Sequence, residues 1–128
     1  MDSSSHTTNR TILVVEDDNV TSLILKASLK GDNITTRYAG SGLDAIELVN
    51  RHPEVSLVLM DIMMTEMDGL KATKLIKEIR PELPIIVQTS STFQIDRNKA
   101  IEAGCNGFIS KPIDKQELLE MMENLLSA

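Results

Sequence analysis

Short apolar runs recur along the chain and are separated by longer amphipathic segments. Residues 12–15, 55–60 and 85–87 form runs of the length expected for buried strands. Residues 34–38 alternate weakly between apolar and polar positions, as in a half-exposed edge strand, and a fifth short run contains Phe108. The pattern therefore predicts five strands.

Helical segments fill the gaps between the strand-like runs. The first of them carries its apolar residues at helical spacing: Val20, Leu23, Ile24 and Ala27. Ser41 and Asp68 are placed to cap the second and third helices. Asp114 and Glu117 form a pair like a capping box before the fifth helix, while residues 95–103 give the fourth a thin apolar face. Each strand is thus followed by a helix.

This alternation predicts an α/β fold with a parallel sheet covered on both faces by helices. Five strands suit the flavodoxin-like, doubly wound (βα)5 arrangement, in which the strand order is 2-1-3-4-5. In that order the first and third strands are neighbours, at the point where the order reverses. Polar groups that follow these two strands should therefore meet at one edge of the sheet.

Size and charge narrow the class of protein. The 128 residues show no abrupt change in composition, which predicts one domain, at residues 11–128, after a disordered lead-in or linker at residues 1–10. The chain has 19 acidic and 13 basic residues, and a net charge of −6 argues against direct binding to nucleic acid or to an anionic membrane. The single cysteine, Cys105, fits a reducing compartment, so we expect a cytoplasmic location.

Charged and hydroxyl side chains stand at the ends of four predicted strands. They are Glu16 and Asp17 after the first, Asp61 after the third, Thr89 at the fourth and Lys111 after the fifth. Three neighbouring carboxylates repel one another unless a cation intervenes, and an all-oxygen ligand set suits Mg²⁺, or Mn²⁺, rather than zinc. The alternative is structural, because Asp17, Asp18 or Asn19 could each cap the first helix.

A carboxylate beside Mg²⁺ can act as a ligand or as a nucleophile. Asp61 could attack a phosphoryl group to give an acyl phosphate, while the metal offsets charge on the transferring oxygens. Lys111 would add a second positive charge, and the hydroxyl of Thr89 a hydrogen bond to a phosphoryl oxygen. The residues alone therefore indicate phosphoryl chemistry at this edge.

Three segments carry a resemblance to a known family. They are ILVVEDD at residues 12–18, LMDIMMTEMDG at residues 59–69 and AGCNGFISKP at residues 103–112. Together they resemble the receiver domain of two-component response regulators, over nearly the whole chain. The sequences of residues 67–73, 84–89 and 110–113 most resemble receivers attached to hybrid sensor histidine kinases, with a free-standing regulator as the alternative.

The resemblance implies a role for each residue at the strand ends. Asp61 would be the phospho-acceptor and Lys111 the phosphoryl-binding lysine, joined to Pro112 by a cis peptide. The implied metal ligands are Glu16, Asp17, Asp61 and the backbone carbonyl of Met63. Thr89 and Phe108 would be the switch residues, the ring of Phe108 packing inward as the hydroxyl of Thr89 moves toward the phosphoryl group.

The implied function is a signalling switch rather than an enzyme. The phosphoryl group would come from a phosphohistidine on a sensor histidine kinase or a histidine phosphotransfer protein, in a transfer that the receiver itself catalyses and slowly reverses by hydrolysis. Output would pass through the face built by the fourth helix, fifth strand and fifth helix, which could also support a homodimer. In a hybrid kinase, the kinase activity would lie outside this chain.

Three other functions are possible alternatives, and the sequence departs from the family pattern at three positions. A phosphatase with an Asp-x-Asp motif would need an acidic residue at the position of Met63. A flavin or nucleotide binder would need a loop that binds phosphate after the first strand, where residues 16–18 are acidic. A receiver fold kept only as a binding module is the third. The departures are Glu16 for the commoner Asp, Thr65 for the usual Pro and Phe108 for the usual Tyr, and none removes a group that the chemistry requires.

Overall fold

A computed structural model describes residues 9–31, 33–62, 69–89 and 94–126, and for residues 94–96 the backbone alone. Strands and helices alternate through these residues. The strands are β1 (Arg10–Val15), β2 (Ile34–Ala39), β3 (Val55–Asp61), β4 (Ile85–Thr89) and β5 (Gly107–Ser110). The helices are α1 (Asn19–Leu29), α2 (Gly42–Arg51), α3 (Gly69–Ile79), α4 (Gln94–Ala103) and α5 (Lys115–Leu126). The predicted alternation is confirmed, while the lead-in assigned to residues 1–10 stays a prediction.

All strand pairs are parallel, and the sheet has the order β2-β1-β3-β4-β5. The predicted flavodoxin-like order is therefore confirmed. Each face of the sheet carries its own apolar core, one under α2, α3 and α4 and the other under α1 and α5. We call these the α2–α4 face and the α1/α5 face. Within the described ranges no helix is long and apolar enough to cross a membrane.

Local signals explain where two of the helices begin. The side chain of Ser41 accepts a hydrogen bond from the backbone N–H of Asp44 at 3.1 Å, so it caps α2 as predicted. Asp114 accepts one from the N–H of Gln116 at 2.9 Å, before α5. The predicted cap of α3, Asp68, lies outside the described residues.

Helix α1 turns a different side to the sheet from the one its spacing suggests. Val20, Leu23 and Ile24 are 64%, 66% and 59% exposed. The buried residues are Leu25 and Leu29, an i, i+4 pair that packs on the α1/α5 face. The helix therefore carries apolar residues on two sides. One stripe packs on the sheet and the other is exposed to solvent.

Gly69 lets the start of α3 touch the end of β3. A Cβ atom at this position would lie 2.6 Å from the Cα of Ile62 and closer still to the carbonyl oxygen of Asp61. Both are backbone atoms and neither can rotate away. The absence of a side chain at Gly69 therefore fixes how α3 sits against the strand that carries Asp61.

Candidate functional site

Three carboxylates meet at the carboxyl edge of the sheet. Glu16 and Asp17 follow β1, and Asp61 ends β3, the neighbouring strand. One oxygen of each lies within 4.8 Å of the others. Glu16 and Asp61 are buried, whereas Asp17 is exposed. The structure thus brings together the three acids whose convergence the strand order predicts, with one open side toward solvent.

Lys111 supplies the positive charge within this cluster. Its Nζ donates to Oε1 of Glu16 at 3.1 Å and to Oδ2 of Asp61 at 3.3 Å. The two carboxylate side chains are 1% and 3% exposed, so these ion pairs form largely out of water. A cis peptide joins Lys111 to Pro112, as the resemblance implies.

The pKa values of Glu16 and Lys111 are both shifted in this cluster. Burial raises the pKa of Glu16 to about 7, and the hydrogen bond to Asp61 adds to that rise against the opposing effect of Lys111. Burial acts to lower the pKa of Lys111, but its hydrogen bond to Glu16 and the charge of Asp61 raise it overall. The raised pKa of Glu16 means that a proton or a metal cation is favoured beside this carboxylate.

Asp18 orders the loop between β1 and α1. Its carboxylate accepts from the N–H of Thr21 at 3.2 Å and from the hydroxyl of the same residue, and these bonds lower the pKa of Asp18. Its own N–H donates to Oε2 of Glu16 at 3.3 Å. Of the three residues that could cap α1, the structure uses Asp18. Asp17 is thereby left to join the acid cluster.

The remaining sequence-predicted residues lie on the next two strands. Thr89 is the last residue of β4 and is fully buried, and its carbonyl accepts from the N–H of Lys111 at 2.8 Å. Phe108 on β5 is half-buried and packs against the core of the α2–α4 face. The guanidinium of Arg97 lies 5.8 Å from the centre of its ring. Met63, the fourth implied metal ligand, lies outside the described residues.

Gln88 is a residue of this region that the sequence analysis missed. It pairs in register with Asp61 on β3 and with Ile109 on β5. Residues paired in register on parallel strands point to the same face, so its side chain stands beside that of Asp61. It is fully buried, and among the described residues neither polar atom of its amide has a hydrogen-bond partner. The available signal was a glutamine inside an otherwise apolar strand.

A groove opens beside the acids, between α1 and the end of β2. It encloses about 570 Å³, and its lining includes Glu16, Asn19, Leu23, Lys26 and Tyr38. Leu23 belongs to the exposed apolar stripe of α1, and Tyr38 is 39% exposed. The carboxylate cluster therefore adjoins an apolar surface that solvent can reach.

Comparisons with a family model and with known proteins point to the same family. The response regulator receiver domain matches residues 12–123. The hybrid signal transduction histidine kinase M of Dictyostelium discoideum is 36% identical in an alignment 121 residues long that covers 90% of this chain and 5% of that protein. The transcriptional regulatory protein ZraR of Salmonella typhimurium is 38% identical over 116 residues, covering 91% of this chain and 26% of ZraR. The chain thus spans a small part of both relatives.

A solved structure supports the fold independently. The receiver domain of the Saccharomyces cerevisiae response regulator Ssk1, determined together with the histidine phosphotransfer protein Ypd1, superposes with a TM-score of 0.85. The match covers 94% of this chain and 90% of that one, at 23% sequence identity. At this identity the likeness establishes the shared fold.

Proposed function

Because this chain belongs to the response regulator receiver domain family of two-component systems, we propose that Asp61 is the residue that accepts the phosphoryl group. The observation that carries the proposal is the acid cluster, with carboxylate oxygens of three residues within 4.8 Å and the amine of Lys111 at 3.3 Å from Asp61. A nucleophile, a site for a cation and a fixed ammonium are what phosphoryl transfer requires.

The donor set fits Mg²⁺, and Mn²⁺ by the same reasoning. All of the side-chain ligands are oxygens, and exposed Asp17 leaves room for the waters that Mg²⁺ retains. The proposed ligands are Glu16, Asp17, Asp61 and the carbonyl oxygen of Met63. Bound there, the cation would neutralise charge on the transferring oxygens. It would also replace the proton that the raised pKa of Glu16 now favours.

The proposed transfer needs no additional base, because Asp61 reacts as a carboxylate. One of its oxygens forms a bond to phosphorus while the bond from phosphorus to the donor's imidazole nitrogen breaks. The electron pair stays on that nitrogen, and because the other ring nitrogen already carries a proton, the donor leaves as neutral imidazole. The ammonium of Lys111 and the hydroxyl of Thr89 would donate hydrogen bonds to the phosphoryl oxygens. Since this chain supplies all of these groups, the receiver would catalyse its own phosphorylation and, slowly, its own hydrolysis.

The proposed switch passes from Thr89 to Phe108. A phosphoryl group adds a charge of about −1.5 to −2, which attracts the hydroxyl and ammonium donors at this edge. Movement of Thr89, which is buried at the end of β4, would open space for the ring of Phe108 to pack inward. The output surface would be α4, β5 and α5, and a homodimer through that surface stays a prediction.

The proposed phosphoryl donor is a phosphohistidine protein that docks on α1. The exposed apolar stripe of α1 borders the groove beside Glu16, so a partner seated there would bring its histidine next to the acid cluster. Ssk1, which shares this fold, was solved with a histidine phosphotransfer protein. Relatives of the hybrid kinase type offer a second source, a kinase in the same polypeptide. With either donor we propose a cytoplasmic location for this domain, a reducing compartment that its single cysteine also fits.

Acetyl phosphate tests the proposal without a partner protein. We expect the intact mass to increase by one phosphoryl group in Mg²⁺, and not to increase in EDTA or in the Asp61→Asn variant. A rapidly hydrolysed adduct could escape detection, so beryllofluoride binding is measured on the same sample. If neither an adduct nor beryllofluoride binding is observed in Mg²⁺, Asp61 is not a phospho-acceptor.

A further inference from the structure

Gln88 belongs to a polar row that crosses the carboxyl edge of the α1/α5 face. Asp61 pairs with Gln88, and Glu16 follows Val15, which pairs with the residue before Asp61. Glu16, Asp61 and Gln88 therefore stand side by side on three successive strands. The first two carry the acid cluster, while the third has no role in the chemistry described so far.

The side chain of Lys111 has to cross β4 to make its ion pairs. Lys111 follows β5, but its Nζ contacts Asp61 on β3 and Glu16 beyond it, and β4 lies between β5 and β3. Ile109, two residues before Lys111, pairs with Gln88. The lysine therefore passes over the end of β4, and Gln88 lies between its backbone and Asp61.

The amide of Gln88 is unusual for such a position. Its neighbours on the same face are apolar, since Ile86 lies two residues earlier on β4 and Ile109 pairs with Gln88 from β5. A buried amide without hydrogen-bond partners destabilises a fold. An apolar side chain would fill the same space without that cost. The amide is therefore better explained by hydrogen bonds that form in another state of the site.

We propose that Gln88 is a positioning residue for phosphoryl transfer, linking Asp61 to Lys111 once the phosphoryl group is in place. Its Nε2 would donate to the Asp61 oxygen that does not carry phosphorus, and its Oε1 would accept from the ammonium of Lys111. An uncharged amide offers both a donor and an acceptor, and it adds no charge to three acids. This inference rests on the proposed function of Asp61.

The charges of the resting site give this rearrangement a physical cause. At rest the ammonium of Lys111 pairs with Glu16 and Asp61. A metal cation at the acid cluster would take over that role and release the ammonium toward the phosphoryl group. In that state the lysine lies over β4 with a donor to spare, next to the oxygen of Gln88.

Calorimetric titration of beryllofluoride at saturating Mg²⁺ tests the inference. Gln88→Met keeps the length of the side chain and removes both polar atoms. We expect it to weaken beryllofluoride binding roughly five- to tenfold, the value of one or two hydrogen bonds, and to slow phosphorylation by acetyl phosphate similarly. We expect Mg²⁺ affinity to remain within about twofold of the wild type, because the amide is not a metal ligand.

Thr73→Val is the matched control. Thr73 on α3 is also fully buried, and within the described residues its hydroxyl has no partner, but it lies away from the polar row. Both substitutions remove an unpaired buried group and should raise the melting temperature. We expect Thr73→Val to leave beryllofluoride binding unchanged.

Two results would overturn the inference. In the first, Gln88→Met binds beryllofluoride as tightly as Thr73→Val and the wild type do. In the second, neither Gln88→Met nor the alternative Gln88→Leu folds, which would mean that the amide already has an essential partner at rest. A wild type that fails to bind beryllofluoride is a different result, since it removes the proposed function itself and this inference with it.

Discussion

At the scale of single residues, the site depends on one amine balancing two buried carboxylates. Lys111 contacts Glu16 and Asp61, and the side chains of both acids are almost fully excluded from solvent. Removing one partner of a buried ion pair lowers the free energy of unfolding more than removing one partner of an exposed pair, because the remaining buried charge has neither a partner nor water. Lys111 should therefore stabilise the metal-free protein as well as bind the phosphoryl group.

Lys111→Met tests this double role. We expect the free energy of unfolding in EDTA at pH 7.5 to fall by about 1–3 kcal/mol, and most of that loss to be recovered in Mg²⁺, because a cation can replace the ammonium charge. Urea unfolding followed by circular dichroism measures both values. Lys111→Arg keeps the positive charge, so its free energy of unfolding in EDTA should fall by less than that of Lys111→Met. An equal loss with and without Mg²⁺ would show that the lysine stabilises the fold through its aliphatic chain.

Sequence reasoning located these residues but could not find Gln88. The apolar runs marked where each strand ends, and the residues that follow them are Glu16, Asp17, Asp61 and Lys111. The predicted strand order then indicated that the three acids lie close together, as they do in the structure. The place of Gln88 depends on the register between β3 and β4, which no local pattern encodes. A polar residue inside an apolar strand was the available sign.

At the scale of elements, α1 has two apolar sides with different uses. Leu25 and Leu29 hold it to the sheet, while Leu23 and Ile24 remain in solvent and Leu23 also lines the groove. Helical spacing predicted the helix but did not decide which stripe would face the sheet, since both stripes satisfy the same period. The choice is made by contact with the sheet, which lies outside any local window of sequence.

Leu23→Asp tests the exposed stripe as the donor's docking surface. We expect phosphoryl transfer from phosphorylated Ypd1, or another histidine phosphotransfer protein active on the wild type, to slow roughly tenfold, as for loss of an apolar interface anchor. Phosphorylation by acetyl phosphate and the melting temperature should not change. Leu43→Asp, at a position on α2 that is 61% exposed, is the control and should behave as wild type. Equal slowing with acetyl phosphate would place the effect in the acid cluster instead.

The contact between α3 and β3 leads to a second prediction about an element. Gly69→Ala would put a methyl group against the backbone of Asp61 and Ile62, so the strand end or the helix has to move. We expect a loss of about 1–3 kcal/mol in the free energy of unfolding and slower phosphorylation by acetyl phosphate. Gly31→Ala is the control, because its Cβ would meet no atom within 4 Å. Unchanged stability in Gly69→Ala would show that α3 shifts freely on the sheet.

At the scale of the whole molecule, the acid cluster makes stability depend on pH. The pKa of Glu16 is raised from 4.5 to about 7, so the folded protein holds a proton that the unfolded chain releases. The stability that Glu16 contributes to the folded protein is fully present below pH 4.5 and is lost as the pH rises through 7. The pKa of Asp18 is lowered, so its effect on stability runs the other way with pH. The stability that Asp18 contributes is lost only as the pH falls into a more acidic range.

We therefore expect the metal-free protein to lose stability between pH 5 and pH 8, on the order of 2 kcal/mol. Urea unfolding in EDTA at unit steps of pH measures the slope. Glu16→Gln, which cannot titrate, should flatten it, and Mg²⁺ should do the same in the wild type. A slope that survives in Glu16→Gln would have to come from groups outside the cluster.

The sheet separates the helix that would meet the donor from one helix of the proposed output surface. Helix α1 packs on one face, and α4 packs on the other. A donor on α1 would therefore not reach a target bound on α4, whereas α5, the other helix of that surface, lies on the same face as α1. Residues of α1 could also diverge to suit a new kinase without disturbing contacts made by α4, so a duplicated copy of the domain could change its input and keep its output.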